Sequence, residues 1–205
     1  MVLTRKGHWA LQGTRNSPRL TPTAGRRLTC VRLKVRVFIR PPTCDDAALF
    51  LAAVRQSRAL HRTWVSPPKA LEAFRGYVRR FSSDEHRAFL VVHKTTKDLV
   101  GVINVSHIIR GAFCSAFLGY YAFAGRARQG LMGDGIRLVL RHVFRQLKLH
   151  RLEANIQPQN HASRALVESC GFTREGYSPR YLKVAGRWKD HERWAIIAED
   201  FSGSR

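Results

Sequence analysis

The middle of the chain contains the glycine-rich, basic run Gly125-Arg126-Ala127-Arg128-Gln129-Gly130-Leu131-Met132-Gly133-Asp134-Gly135. The pattern around it predicts a strand over residues 114–123 and a helix with an apolar face from Ile136 to Leu147. A loop between a strand and a helix can bind a pyrophosphate, because the first helical turn offers free N–H groups and the helix dipole attracts an anion. The alternative is a helix whose beginning happens to be rich in glycine.

Outward from this run, the spacing of apolar residues predicts an α+β or mixed α/β domain. A final hairpin is expected over residues 181–197, with its turn at Ala185-Gly186. The other expected strands are 31–37, 88–93, 99–109, 114–123 and 152–156, and helices are expected from Thr43, from Leu71, after Gly135 and over 163–170.

Composition bounds the size and class of the protein. The 205 residues, 44% hydrophobic and 24% charged, suit one globular domain that buries its core without disulfides. No apolar stretch approaches the roughly 18 residues that a membrane span needs. The four cysteines form no C-x-x-C pair, and the first 30 residues hold no apolar run of signal-peptide length. We therefore expect free thiols and a cytoplasmic protein.

The charge is strongly positive and unevenly distributed. Lys and Arg number 36 against 14 Asp and Glu, which gives a net charge of +22. Such an excess favours anionic partners, although a basic proteome would produce it without a specific partner. No acidic residue precedes Asp45, so we expect residues 1–30 to form a basic, disordered arm ahead of a single domain over 31–205. The arm could contact the ribosome or its RNA, act as a solubilising tail, or reflect a mis-assigned start codon.

Several motifs in chain order resemble one enzyme family. They are Leu118-Gly119-Tyr120, Gln129-Gly130-Leu131-Met132, His150-Arg151-Leu152-Glu153-Ala154-Asn155, Asn160-His161-Ala162-Ser163 and Gly171-Phe172-Thr173-Arg174-Glu175-Gly176-Tyr177. Together they look like a GNAT N-acetyltransferase of the Rim type, the branch that acetylates the N-terminal alanine of ribosomal proteins. The resemblance covers about residues 33–200, because segments 40–42, 64–68 and 186–191 also resemble the beginning and end of that branch.

The resemblance implies the GNAT acyl-CoA N-acyltransferase fold. This is a mixed, splayed, mostly antiparallel sheet with helices on both sides and acetyl-CoA between the fourth and fifth strands. The residues that the resemblance assigns to acetyl-CoA are Tyr121, Ala122, Phe123, Arg128, Gln129, Gly130, Leu131, Met132, Gly133, Asn160 and Ser163. The loop departs from the family pattern at Ala127 and Met132, and Arg126 or Arg128 is expected to replace a missing phosphate ligand. No metal is expected, since the nine histidines form no metal-like cluster.

Glu153 is the predicted general base. Strand alternation places it on one face with Arg151 and Asn155, and in related alanine acetyltransferases a Glu at a similar place on this strand has that role. The alternative is a surface Glu that pairs with Arg151. The backbone N–H groups around residues 121–123 are expected to polarise the thioester carbonyl.

The remaining site residues follow from the same resemblance. Tyr177 is the predicted general acid, because Val167 stands where some relatives have a Tyr. The alternatives to Tyr177 as the acid are Tyr181, Ser163 and a water, or the thiolate departs without an acid. Trp64, Tyr181 and Trp188 are expected to line the acceptor site, although such aromatics are more often part of a core.

The implied activity is transfer of an acetyl group to an N-terminal α-amine, foremost the N-terminal alanine of a ribosomal protein. An α-amine with a pKa of about 8 is partly neutral at pH 7 and needs only a weak base. We expect a monomer or weak dimer that does not act at a membrane. One alternative is transfer to a small-molecule amine. The net charge of +22 argues against such an acceptor when the amine is polycationic. The other is a ribosome- or RNA-binding factor with little catalysis.

Deletion of residues 1–30 is expected to leave acetyl-CoA affinity nearly unchanged, because all of the family motifs lie beyond them. Calorimetric titration of the full and shortened chains measures this. A tenfold loss, which corresponds to about 1.4 kcal/mol, would show instead that the arm is part of the site.

Overall fold

The computed structural model describes residues 35–61 and 64–201. The predicted arm over 1–30 lies outside the described residues. The strands are β1 Val37–Arg40, β2 His86–His93, β3 Leu99–Ile109, β4 Ser115–Ala122, β5 Arg151–Ile156, β6 Thr173–Val184 and β7 Arg187–Ile197. The helices are α1 Ala47–Gln56, α2 Arg58–His61, α3 Leu71–Arg80, α4 Leu131–Arg145 and α5 His161–Ser169, with 3-10 turns at Cys44–Asp46 and Ala124–Arg126.

The strands form one open seven-stranded sheet in the order β1-β2-β3-β4-β5-β7-β6. Neighbouring strands are antiparallel except for β4 and β5, which are parallel. This confirms the predicted mixed, mostly antiparallel sheet.

Two hydrophobic cores lie on opposite faces of this sheet, because side chains of successive strand residues point to opposite faces. Val91 and Ile103 pack with α4 in the larger core. Their neighbours Leu90 and Val102 pack with α1 and α3 in the smaller one. Helices therefore cover both faces, as predicted.

The parallel pairing of β4 with β5 is short. It joins Ser115 to Arg151, Ala116 to Leu152 and Phe117 to Glu153, and no later residue of β4 pairs with β5. A gap consequently opens between the two strands beyond these three pairs.

Two strand predictions differ from the structure. The strand expected over 31–37 begins within the described residues only at Val37, because its partner β2 ends at the opposing His93. The hairpin expected from residue 181 begins at Thr173. Strand β6 is at the sheet edge and is mostly exposed along its length, so the period-two pattern that would have revealed its first half is missing.

The beginning of α4 packs very closely on the sheet. A Cβ on Gly135 would lie 2.9 Å from Cγ2 of Val91 and 3.3 Å from Cδ1 of Ile103. Glycine at this position therefore lets the helix approach β2 and β3, and this packing offsets the low helix propensity of glycine.

Gly135→Ala is expected to lower the free energy of unfolding by about 1–3 kcal/mol, the usual cost of overpacking a core. Gly133→Ala is the matched control on the same helical turn, since its Cβ would meet only the flexible end of Arg137 at 3.2 Å and Leu166 at 3.6 Å. That control should be neutral or stabilising by up to about 1 kcal/mol. Chemical denaturation measures both, and a stabilised Gly135→Ala variant would contradict the packing argument.

Candidate active site

A cavity of about 470 Å³ occupies the gap between β4 and β5. Its volume is in the range of small-molecule sites. The lining consists of residues 118–122, 126–133 and 154–157 together with Leu60, His61, Trp64, Val65, Asn160, Ala162, Ser163, Leu166 and His191. The glycine-rich run thus lies at the same cavity as the diverging ends of the two strands.

The loop enters α4 through a glycine in the left-handed conformation. Gly130 is the N-cap residue, with a φ of 72°, a value that glycine adopts without strain. The N–H groups of the first turn that follows have no partners within the helix. Arg36 donates from Nε to Oδ2 of the buried Asp134 at 3.1 Å and so fixes this turn to the end of β1. Anion binding by this loop stays a prediction, for which the first turn of α4 offers free N–H groups.

The two loop arginines have different surroundings. The guanidinium of Arg126 donates to the carboxylate of Asp98, with Nε at 3.0 Å from Oδ2, and to the hydroxyl of Thr96. Arg128 also lines the cavity, and the described residues contain no hydrogen-bond or ion-pair partner for it. Arg128 is therefore the arginine whose charge remains available to a ligand.

Met132, at a position where the family pattern has Gly or Ala, is accommodated by the sheet. Its side chain is buried against β3, where a Cβ on Gly101 would lie 2.5 Å from Met132 Sδ. The absence of a side chain at Gly101 leaves room for the methionine, so the departure does not close the cavity.

The end of β4 faces the gap with backbone groups that no strand satisfies. The N–H of Phe123 donates to Val100 of β3 at 2.8 Å. Since backbone groups alternate between the two edges of a strand, those of Ala122 and Tyr120 point toward β5. The carbonyl oxygen of Ala122 is 2.7 Å from Nε2 of His61.

Helix residues stabilise this strand end. Ser57 and His61 are four residues apart, on one side of the α1–α2 segment. The N–H of Ala124 donates to Ser57 Oγ at 2.9 Å, and Ala122 is held by His61. Both side chains are almost fully buried.

Three buried side-chain atoms in the described part of the chain have no hydrogen-bond partner, and all three belong to residues that line the cavity. They are Nδ1 of His61, Oη of Tyr121 and Oδ1 of Asn155. Burial lowers the pKa of His61 and raises that of Tyr121 well above its ordinary value. Both rings are therefore neutral near pH 7. Since buried polar atoms are rarely left without partners, each of these three atoms is a candidate contact for a polar ligand or a water.

The beginning of helix α5 also lines the cavity. Asn160 caps it, its side-chain oxygen accepting from the N–H of Ser163 at 3.2 Å. The hydroxyl of Tyr120 bonds to the hydroxyl of Ser163 and to its carbonyl at 3.1 Å. Burial raises the pKa of Tyr120, so this ring also remains neutral. Asn160 and Ser163 both line the cavity, as the sequence predicts for residues near the cofactor.

The family model for the acetyltransferase (GNAT) domain matches residues 36–173. The chain belongs to the GNAT acetyltransferase family. The probable N-acetyltransferase YjcK of Bacillus subtilis is 36% identical over 124 residues, which are 60% of this chain and 68% of YjcK. The ribosomal protein uS5-alanine N-acetyltransferase of Escherichia coli is 35% identical over 109 residues, 53% of this chain and 56% of that enzyme. The chain thus matches little more than half the length of the second relative.

Solved structures have the same fold as this GNAT acetyltransferase. Mycobacterium smegmatis RimJ in complex with CoA-disulfide matches with a TM-score of 0.75 and 28% identity, over 82% of this chain and 85% of that one. Spermidine N-acetyltransferase of Vibrio cholerae, in complex with CoA and spermine, matches with a TM-score of 0.69 over 80% of this chain and 97% of that one. At 20% identity, the second likeness concerns the fold alone.

The structure brings most of the predicted cofactor residues of this acetyltransferase together. Every one of them lines the cavity except Phe123. The ring of Phe123 is buried in the smaller core, 5.8 Å from the ring of Phe50, and its N–H is used by β3. Trp64 also lines the cavity, at the end formed by α2.

The predicted catalytic side chains lie outside the cavity. Glu153 accepts from Nε of Arg151 at 2.9 Å, and Arg151 also binds Glu175. Tyr177 is 48% exposed on β6 and donates to Asp190. The ion pair of Glu153 with Arg151 matches the alternative in which Glu153 is a paired surface residue. The role of Glu153 as a base stays a prediction.

Two predicted acceptor-site aromatics lie on the last hairpin. Trp188 is 61% exposed, and Tyr181 contacts the ring of His191 at 6.3 Å between centroids. Neither lines the cavity, although His191 does. The sequence predicted no role in the site for His61, His191 or Asn155. Only Asn155 carried a usable signal, because strand alternation places it on the same face as Glu153.

Within residues 35–61 and 64–201, no group of His, Cys, Asp and Glu is arranged to hold a metal ion. None of the helices described there is long and apolar enough to cross a membrane.

Proposed function

We propose that this acetyltransferase moves the acetyl group of acetyl-CoA to the N-terminal α-amine of a protein, with the N-terminal alanine of a ribosomal protein as the first candidate. Such an acceptor implies a cytoplasmic reaction. Ribosome contact through the basic arm and a monomeric or weakly dimeric state remain predictions of the same proposal.

The cavity suits acetyl-CoA in its charge and in its backbone groups. The free N–H groups at the beginning of α4 and the unengaged guanidinium of Arg128 provide an anion site for the phosphates. The gap-facing N–H groups of Ala122 and Tyr120 are available to the pantetheine arm and the acyl carbonyl. When bound, acetyl-CoA supplies the activated acyl group and a thiolate leaving group. Asn160 and Ser163 border the same gap from α5.

The acceptor end carries the proposal for an α-amine. The residues lining it from α2 and the segment after it are Leu60, His61, Trp64 and Val65, and no Asp or Glu is among the described residues around the cavity. A polyamine or lysine acceptor brings positive charge that this lining does not neutralise. An α-amine, with a pKa of about 8, reaches its neutral form near pH 7 more readily than a lysine amine does, and an apolar lining suits the methyl side chain of alanine.

Sequence similarity supports the same acceptor. The E. coli relative at 35% identity is named for the alanine of ribosomal protein uS5. The spermidine N-acetyltransferases that share the fold are about 20% identical, so they carry no argument for a polyamine. The described residues that line the cavity include no carboxylate, which argues in the same direction.

Arg128→Ala is expected to weaken acetyl-CoA binding about tenfold, because a hydrogen bond to a charged group contributes about 1.5 kcal/mol or more. Arg126→Ala is the matched control, expected to change the affinity less than threefold since Asp98 already engages its guanidinium. Titration calorimetry measures both. A larger loss for Arg126→Ala would contradict the assignment of the phosphate-binding arginine.

The acceptor is tested by mass spectrometry of short peptides incubated with the protein and acetyl-CoA. Peptides that begin with Ala should gain one acetyl group on the α-amine, whereas the same peptides with a blocked N-terminus and an internal Lys should gain none. Spermidine serves as the small-amine comparator. Faster transfer to spermidine than to any peptide would overturn the proposed acceptor class while leaving the acetyltransferase activity intact.

A further inference from the structure

His61 has one nitrogen whose protonation state is fixed by the fold. Its Nε2 lies 2.7 Å from the carbonyl oxygen of Ala122. A carbonyl oxygen can only accept, so Nε2 must carry a hydrogen. The neutral ring therefore presents an unshared electron pair at Nδ1.

That electron pair has no partner within the described part of the chain. Nδ1 is buried, and His61 lines the cavity at the end where Trp64 also lies. A buried acceptor without a hydrogen bond is destabilising unless a ligand or a water satisfies it. Burial also lowers the pKa of the imidazole, so the ring is neutral near pH 7 and Nδ1 carries an unshared electron pair.

His61 lies at the end of β4, beside the gap between β4 and β5. It bonds to the carbonyl of Ala122, the residue whose N–H also faces β5. In the proposed function this N–H lies beside the acyl carbonyl. An amine that enters from the α2 side therefore meets His61 next to the strand end that would hold the acetyl group.

We propose that His61 is the general base, taking on Nδ1 the proton that the acceptor amine loses as it is acetylated. This inference rests on the proposed function. The amine nitrogen forms a bond to the acetyl carbon, and the carbon–sulfur bond of acetyl-CoA breaks. One amine proton goes to Nδ1, and the electron pair of the broken bond leaves with the thiolate. The imidazolium then releases its proton to the thiolate or to solvent, which restores the ring.

Two other groups compete for this role. Glu153 is engaged by Arg151 and lies outside the cavity lining. His191 lines the cavity, but its Nδ1 bonds to the carbonyl of Lys189 on the same strand at 2.9 Å. The ring of His191 therefore has no such bond to the end of β4. Among the described residues, only His61 combines a buried unpartnered nitrogen with a bond to the gap-facing carbonyl.

The test compares His61→Gln with the parent chain. A glutamine amide can still donate to the Ala122 carbonyl but offers no titratable nitrogen. We expect kcat on an Ala-peptide to fall about 100-fold or more, the lower end for loss of a general base, with the peptide KM and acetyl-CoA Kd within threefold. His142→Gln is the matched control, a half-buried histidine of α4 outside the cavity, and should leave kcat unchanged. Glu153→Gln is measured beside them.

A spectroscopic readout is independent of turnover. Nitrogen-15 NMR of the labelled imidazoles, assigned by comparison with His61→Gln, should show a protonated Nε2 and an unprotonated Nδ1 at pH 7. Addition of an Ala-peptide amine should shift the Nδ1 resonance, and addition of its N-acetylated form should shift it less. A proton on Nδ1 in the free protein would overturn the proposal.

The outcomes separate this inference from the proposed function. If the parent chain transfers acetyl and His61→Gln retains kcat within threefold, His61 is not the base, and loss in Glu153→Gln alone would assign that role to Glu153. If the parent chain transfers acetyl to no peptide, the proposed function fails and this inference fails with it. Loss of kcat in His61→Gln, with binding and His142→Gln unaffected, supports both.

Discussion

The rest of the site depends on how early β4 and β5 stop pairing. Two parallel strands that stayed together would satisfy each other's backbone groups, but here pairing ends after Phe117 and Glu153. The strand ends beyond these pairs must find other partners or face a cavity. Ser57 and His61 hold two groups near the end of β4, and the remaining gap-facing N–H groups stay available. Loss of pairing between β4 and β5 leaves backbone groups without strand partners, and the same opening forms the cavity.

The elements around this opening present different charges, and that difference connects the fold to the chemistry. The loop end combines the beginning of α4 with Arg128, which suits the phosphates of a CoA ester. The lining residues from α2 and from β4 include neutral aromatic and histidine rings, and no carboxylate is among the described lining residues. A net charge of +22 therefore says little about the acceptor by itself, and the charge of the residues around the cavity is the more informative quantity.

Local pattern was enough to predict the order of elements and the loop that begins α4, because each depends on neighbouring residues. It failed where distant parts of the chain meet. His61 reaches a carbonyl 61 residues away, and Tyr177 donates to Asp190 across the last hairpin. The apolar pattern missed the first half of β6, since an exposed edge strand has no buried face to produce it. Gly135 looked costly in a helix until its contact with Val91 was known.

Residue-resolved amide hydrogen exchange with and without saturating acetyl-CoA tests the central claim, that the gap beside β4 is the cofactor site. New protection is expected at Tyr120 and Ala122 and at residues 130–133, with no change at Phe123, whose N–H already bonds to β3. Protection confined to other parts of the chain, or none at millimolar acetyl-CoA, would contradict it.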